Sequence, residues 1–246
     1  MTRTNPDRHE LDANLELLDR QIIDSDGLFA GKVDDLELTA SGERELSLTG
    51  ILVGAPALLP RFGGRRTGER LLRGWHGLVP VRSDRNTPGR IDIRAVRALD
   101  SAVHLDRSRD GVAQVQPQGE PHVHSLNRLS NLRLTGPQAR EKDRILDVRL
   151  AYSGSTLSSA YVTGLIVGPA GRPGSMLGYE RRAEQGPALL AAVVGRIHRH
   201  ARYLQLSEAV HIDWAGGRID VGAGADYGEL RPPKAPRHVR EPRRGA

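Results

Sequence analysis

The sequence predicts a mainly β protein: two tandem small β-barrels, with a short helix in the second copy and a disordered basic tail. Three observations carry this. The chain repeats itself at a nearly constant shift. Its apolar residues fall in short runs bounded by turn residues. Its excess positive charge is concentrated near the C-terminus.

The repeat comes first, because a duplicated chain must be read as two units. Residues 17–38, LLDRQIIDSDGLFAGKVDDLEL, align without a gap on residues 129–150, LSNLRLTGPQAREKDRILDVRL, at a shift of 112. Apolar positions coincide: Leu17/Leu129, Ile22/Leu134, Val33/Ile145, Leu36/Val148 and Leu38/Leu150. Downstream, Thr49-Gly50-Ile51-Leu52-Val53-Gly54 matches Thr163-Gly164-Leu165-Ile166-Val167-Gly168 at 114, and Phe62-Gly63 matches Leu177-Gly178 at 115. Ala95-Val96 matches Ala209-Val210 at 114, and Val103 and Leu105 match Ile219 and Val221 at 116. AVHLD at 102–106 also resembles AVHID at 209–213, but its shift of 107 breaks the register and is read as chance.

The elements follow in order. Residues 10–19 suit a short helix. Residues 21–24 and 30–38 flank Asp24-Ser25-Asp26-Gly27, a turn signal between apolar runs, and predict a hairpin. Residues 46–54 and 160–168 are strands ended by glycine, and 78–82, 91–93, 203–206 and 218–221 alternate apolar with polar. Gly186-Pro187 opens a helix over 188–201 with proline at its favoured first position, and Leu189, Ala192, Val193 and Ile197 form its apolar stripe. A weaker counterpart lies at 69–75. The resulting organisation is 11–106 for the first barrel, 107–125 for a polar linker, 126–222 for the diverged second barrel and 223–246 for a Pro/Arg-rich tail.

Leu18-Asp19-Arg20-Gln21-Ile22-Ile23-Asp24-Ser25-Asp26-Gly27, followed by Gly31-Lys32-Val33-Asp34-Asp35-Leu36, resembles the opening of a PRC-barrel domain. Gly50-Ile51-Leu52-Val53 and Ile91-Asp92-Ile93-Arg94-Ala95-Val96 are similar to that family's later strands. The resemblance covers 15–106 directly and 127–222 only through the repeat, where Gly27 becomes Ala139 and Gly31 becomes Asp143, so the second hairpin must differ. It implies a small barrel whose surface docks on another macromolecule. It carries over no catalytic residue.

Composition bounds the rest. The chain has 246 residues, enough for two domains, and no cysteine, which excludes disulfides and thiolate metal sites. No apolar run reaches the ~18 residues of a membrane span, and the N-terminus lacks the apolar core of a secretion signal. A soluble, cytoplasmic protein is expected. The formal charge is +6. Over 231–246, Arg231, Lys234, Arg237, Arg240, Arg243 and Arg244 face only Glu241, so this segment holds +5 of it and the rest of the chain is nearly neutral.

Catalytic and metal constellations are not evident in the sequence. His198 and His200 point apart on a helix, and His122 and His124 have no third ligand in sequence, so these histidines read as solvated polar residues. Asp24-Ser25-Asp26-Gly27 has its glycine too early for a calcium loop. Gly222-x-Gly224 lacks the helix and acidic partner of a dinucleotide site. The conspicuous loops are Gly/Arg-rich, at 61–77 and 169–186, and give Arg65, Arg66, Arg70, Arg73, Arg172, Arg181 and Arg182 as candidate binding residues.

The expectation is a non-enzymatic adaptor without cofactor or metal, binding a protein partner. The two barrels would pair within one chain, leaving a monomer, and the tail would give weak nucleic-acid contact. The rival is an RNA- or ribosome-associated factor using the arginine loops, although aromatics at 4% leave little for base stacking.

Overall fold

Alternation of apolar and polar residues at a period of two builds most of the molecule. A computed structural model describes residues 8–42, 45–61, 70–71, 73–75, 87–115, 120–154, 156–169 and 201–234. In the first half, strands β1 (Arg8–Asp12), β2 (Gln21–Ile23), β3 (Phe29–Lys32), β4 (Asp35–Ser41), β5 (Glu45–Val53), β6 (Gly89–Asp92), β7 (Val96–Leu99), β8 (Val103–Leu105) and β9 (Gln114–Val115) are joined by helices α1 (Ala13–Glu16) and α2 (Ala55–Leu58). The second half has β10 (Val123–Ser125), helix α3 (Leu126–Ser130), β11 (Arg133–Thr135), β12 (Asp143–Ser153), β13 (Tyr161–Pro169), β14 (Arg202–Gln205), β15 (Val210–Asp213), β16 (Arg218–Val221) and β17 (Tyr227–Glu229).

The main sheet runs β1-β12-β13-β5-β4-β10, with β14 and β17 branching from β13 and β6 and β9 from β5. That order is a palindrome under the repeat, because β12 is the counterpart of β4 and β13 of β5. At its centre Ser47 pairs with Tyr161, its own counterpart at a shift of 114. A pseudo-two-fold axis therefore passes between these two residues.

The small sheets obey the same relation. β2 pairs in parallel with β8 through Ile22 and Val103, and β11 pairs in parallel with β16 through Leu134 and Ile219. β7 and β15 then flank β8 and β16 antiparallel. Apart from β3, both halves thus share one strand order, distributed over a common sheet and one small sheet each.

The halves also exchange strands. β1 precedes the first half but pairs with β12 of the second, while β10 precedes the second half and pairs with β4 of the first. Within the stretch 107–125, Gln114–Val115 pairs with β6, Val123–Ser125 is a strand of the main sheet, and His124 is 4% exposed. The expected helix at 10–19 shortens to Ala13–Glu16, because the residues before it extend to cover the edge of β12.

One buried cluster runs through both halves. All five aligned apolar pairs of the opening repeat lie in it, from Leu17/Leu129 to Leu38/Leu150. Each fully buried Leu, Ile or Val contributes roughly 1.5–3 kcal/mol against exposure, so the duplicated pattern is above all a duplicated core.

Two local departures have clear causes. The first hairpin needs Gly27 at φ +79, in the left-handed region that glycine tolerates. With Ala139 at that position and Asp143 for Gly31, the second half makes no β3 counterpart, and β12 instead starts at Asp143 and runs for 11 residues. The predicted strand 30–38 splits into β3 and β4 because Asp34 N bonds Leu52 O, moving the chain from β2 onto β5.

The first residues of the stretch 223–246 pack on the body. Tyr227–Glu229 pairs with β14, Arg202 lies 4.1 Å over the Tyr227 ring, and Glu10 N donates to Lys234 O. The free edge of β14 and the flat face of Tyr227 make this pairing favourable despite the prolines that follow. The remainder of the tail, 235–246, and the expected helix over 188–201, except Ala201, which is not helical, lie outside the described residues.

Candidate functional site

Three features bring unpaired chemistry to the surface or to a cavity: the first hairpin tip, the cleft between α1 and α3, and the Trp214 stack.

The hairpin tip is organised by Asp24, itself 1% exposed. Its Oδ1 accepts from Asp26 N at 2.9 Å and Leu28 N at 2.8 Å, and its Oδ2 from Arg109 N at 3.1 Å. Burial pushes the carboxyl up, but the N–H groups of Leu28, Arg109 and Asp26 outweigh it and hold Asp24 below its ordinary range. The turn reading of Asp24-Ser25-Asp26-Gly27 therefore holds. What the fixed turn presents is apolar: Leu28 is 48% exposed and Phe29 52%. β3 is the edge strand of its sheet. In the second half the aligned residues are Arg140 and Glu141, both exposed and charged. The apolar tip thus belongs to one half only.

The cleft sits where the halves brace each other. Asp35 Oδ1 accepts from Leu36 N at 2.8 Å and from Asn127 N of α3 at 3.1 Å. Its counterpart Asp147 reciprocates: Oδ1 accepts from Val148 N and Asn14 N at 2.7 Å, and Oδ2 from Leu15 N at 3.2 Å. Each carboxyl thus caps the first turn of the helix that precedes the other half's opening strand. Between them lies a cavity of about 230 Å³ whose lining includes Asn14, Asp19, Asp35, Arg61, Asn127 and Ser130. Arg61 forms a fork on Asp19, Nη1 to Oδ1 and Nη2 to Oδ2 at 3.0 Å, and Nη1 also reaches Asp34 O at 3.1 Å. Burial pushes Asp35 up to about 7, against its backbone N–H partners.

No protein-family model matches the chain, and no curated protein matches it.

A second cavity, of about 370 Å³, shares Asn127 and Asn131 with the first and is closed by Trp214, Gly216 and Gly217. Trp214 stacks on His124 with ring centroids 3.6 Å apart, and Arg128 donates from Nη1 to His124 Nδ1 and from Nη2 to Trp214 O. Burial, with Arg128 and His122 nearby, pushes His124 down to about 4. The solvated reading of His124 is therefore corrected: it is a neutral packing residue, while His122 is exposed.

Of the arginines singled out by sequence, Arg70 and Arg73 are helical and exposed. Arg65, Arg66, Arg172, Arg181 and Arg182 lie outside the described residues, as do His198 and His200. Among the described residues no three His, Asp or Glu are placed to hold a metal, and no helix is long and apolar enough to cross a membrane. Sequence reasoning missed Leu28 and Phe29, although their replacement by Arg140-Glu141 is visible in the repeat alignment. It also missed Asp35, whose burial depends on residues about 90 positions away.

Proposed function

We propose that the chain is a non-enzymatic docking protein that grips another protein through the Leu28–Phe29 tip of its first PRC-barrel-like half. The observation that carries this is two adjacent large apolar side chains, about half exposed, on a turn that Asp24 fixes from inside. Single exposed apolar residues are ordinary on a protein surface. A contiguous pair held by a buried carboxylate is less so, because holding it rigid removes much of the ordering cost of binding. Burying the half of each that is still exposed would contribute roughly 1.5–3 kcal/mol in all before association costs, which suits a transient contact with a protein that offers an apolar pocket. The Arg109 guanidinium, whose Nη1 reaches Phe29 O at 3.4 Å, places positive charge beside the tip and favours an acidic rim around that pocket.

The experiment is affinity capture of the full chain from its native cell, with nuclease present, comparing wild type, Phe29→Asp and Arg140→Asp. Loss of one protein with Phe29→Asp and its retention with Arg140→Asp is expected. Capture unchanged by Phe29→Asp, or captured material lost on nuclease treatment, overturns the reading. Dependence on nuclease would return attention to the arginine loops and an RNA partner.

A further inference from the structure

The cavity between α1 and α3 stands apart from the docking tip, and its chemistry is different. We propose that it is a binding site for one alkylammonium group, carried by a free diamine or by a lysine side chain.

Charge balance is the first argument. The lining holds two carboxyl groups, Asp19 and Asp35, and one guanidinium, Arg61. Arg61 directs both terminal nitrogens at Asp19 and the Asp34 carbonyl. With both carboxyls ionised, the lining is one negative charge in excess, and a single cation completes it. The second argument is an orphan polar atom. Ser130 Oγ, in the same lining, is buried and has no hydrogen-bond partner among the described residues. A buried hydroxyl left unpaired costs about 1–3 kcal/mol, and an ammonium group supplies the N–H donors that both Ser130 Oγ and a carboxylate accept.

The third argument compares the twins. Asp147 caps α1 with three backbone N–H groups and is not part of the lining. Asp35 accepts from two backbone N–H groups and from the Ser125 side chain, yet it stands on the cavity wall at 3% exposure, with burial lifting its pKa to about 7. A carboxylate kept desolvated on a cavity wall, at a cost to the fold, marks a functional group. The charged groups around it are Arg61, Asp19 and Asp34 from the first half; its neighbours from the second half, Asn127 and Ser125, are neutral. Leu18, Leu58 and Ile145 supply apolar wall for a methylene stem. At about 230 Å³ the space is below the ~300 Å³ of a typical ligand pocket, and takes one short chain rather than a nucleotide.

The test is calorimetric titration of the full chain with 1,4-diaminobutane, with Nα-acetyl-lysine amide and with neutral 1,4-butanediol, at pH 8 and 5.5. At least one amine binds at pH 8 and the diol does not. Affinity falls on the order of thirtyfold at pH 5.5, where Asp35 is protonated while the amine stays charged. Asp35→Asn and Ser130→Ala each weaken binding by about tenfold or more, the cost of one hydrogen bond to a charged group. Asp147→Asn leaves it unchanged. If Asp35→Asn does not fold, Ser130→Ala and the pH dependence decide. Binding of the diamine alone assigns a free amine, and binding of the lysine derivative assigns a partner's side chain. Failure of both amines to bind at about 10 mM, equal binding of the diol, or wild-type affinity in Ser130→Ala overturns the proposal, whatever Phe29→Asp does to docking.

Discussion

Replacing Asp12 by alanine strands the Arg149 guanidinium inside the protein. Arg149 Nε and Nη2 donate to the two oxygens of Asp12 at 2.9 and 3.3 Å, and the side chains are 5% and 0% exposed. Burial alone would push the guanidinium's pKa down; bonding to Asp12 holds it above its ordinary value. Removing one partner of such a pair costs about 3–5 kcal/mol, because the remaining charge stays desolvated. Arg149 keeps its place 5.3 Å over the Tyr203 ring, so the lower figure, about 3 kcal/mol, is expected. For a chain of this size that is a Tm loss of roughly 6–12 °C. Urea unfolding followed by circular dichroism measures it, with an unchanged slope as the sign that only stability moved. The double variant Asp12→Leu/Arg149→Met should recover most of the loss, since no charge is then stranded. Asp12→Ala within about 1 kcal/mol of wild type, the range of an exposed pair, would refute the strand exchange, because Asp12 reaches Arg149 only when β1 lies on the second half.

Asp35 sets a pH dependence of known sign. Its folded pKa of about 7 exceeds the ordinary 3.8, so the folded state holds the extra proton between those values, and stability falls as pH rises from about 4 to about 7. At 1.36 kcal/mol per unit the loss is on the order of 4 kcal/mol at most. Asp35→Asn should therefore raise stability at pH 8 and change little at pH 4; equal effects at both pH values would count against it. Gly164→Ala should destabilise by about 2–3 kcal/mol in thermal melts, because a Cβ there would stand 2.5 Å from the Tyr203 ring. The equivalent Gly50 faces Ile91 O and the Glu37–Arg90 pair at 3.2–3.3 Å, so Gly50→Ala should be milder. Equal effects of the two substitutions would contradict this packing.

Which parts were legible follows from how local each signal is. Leu36/Val148 and Leu38/Leu150 identify the core because burial of strand faces imposes period two in both copies. The rejected match of AVHLD with AVHID is rejected by the structure too: the first lies in β8, whose counterpart is β16, and the second reaches into β15. The turn at Asp24 was legible because Asx capping and a positive-φ glycine act over four residues.

The exchange of β1 and β10 was not legible, because the residues around Asp12 carry no mark of which half's edge they cover. β17 was hidden for a similar reason. Pro232 and Pro233 signal an end to regular structure, yet they lie beyond the three residues that pair with β14. The candidate cavity collects Asn14, Asp35 and Asn127 from three distant stretches, and only the dyad brings them together. The tip was within reach of sequence, since Leu28-Phe29 against Arg140-Glu141 is the sharpest chemical difference between aligned turns.

Amide hydrogen exchange on the intact chain asks whether the two halves are one body. Leu36, Leu38 and Ile51 lie at the core of the first half, and Val148, Leu150 and Leu165 occupy the aligned positions in the second. Because both sets sit in one continuous sheet and one buried cluster, they should share a single opening free energy equal to that of global unfolding. Two separate values, with one half opening more than about 2 kcal/mol more easily than the other, would mean two independent domains and would contradict the shared, strand-exchanged architecture.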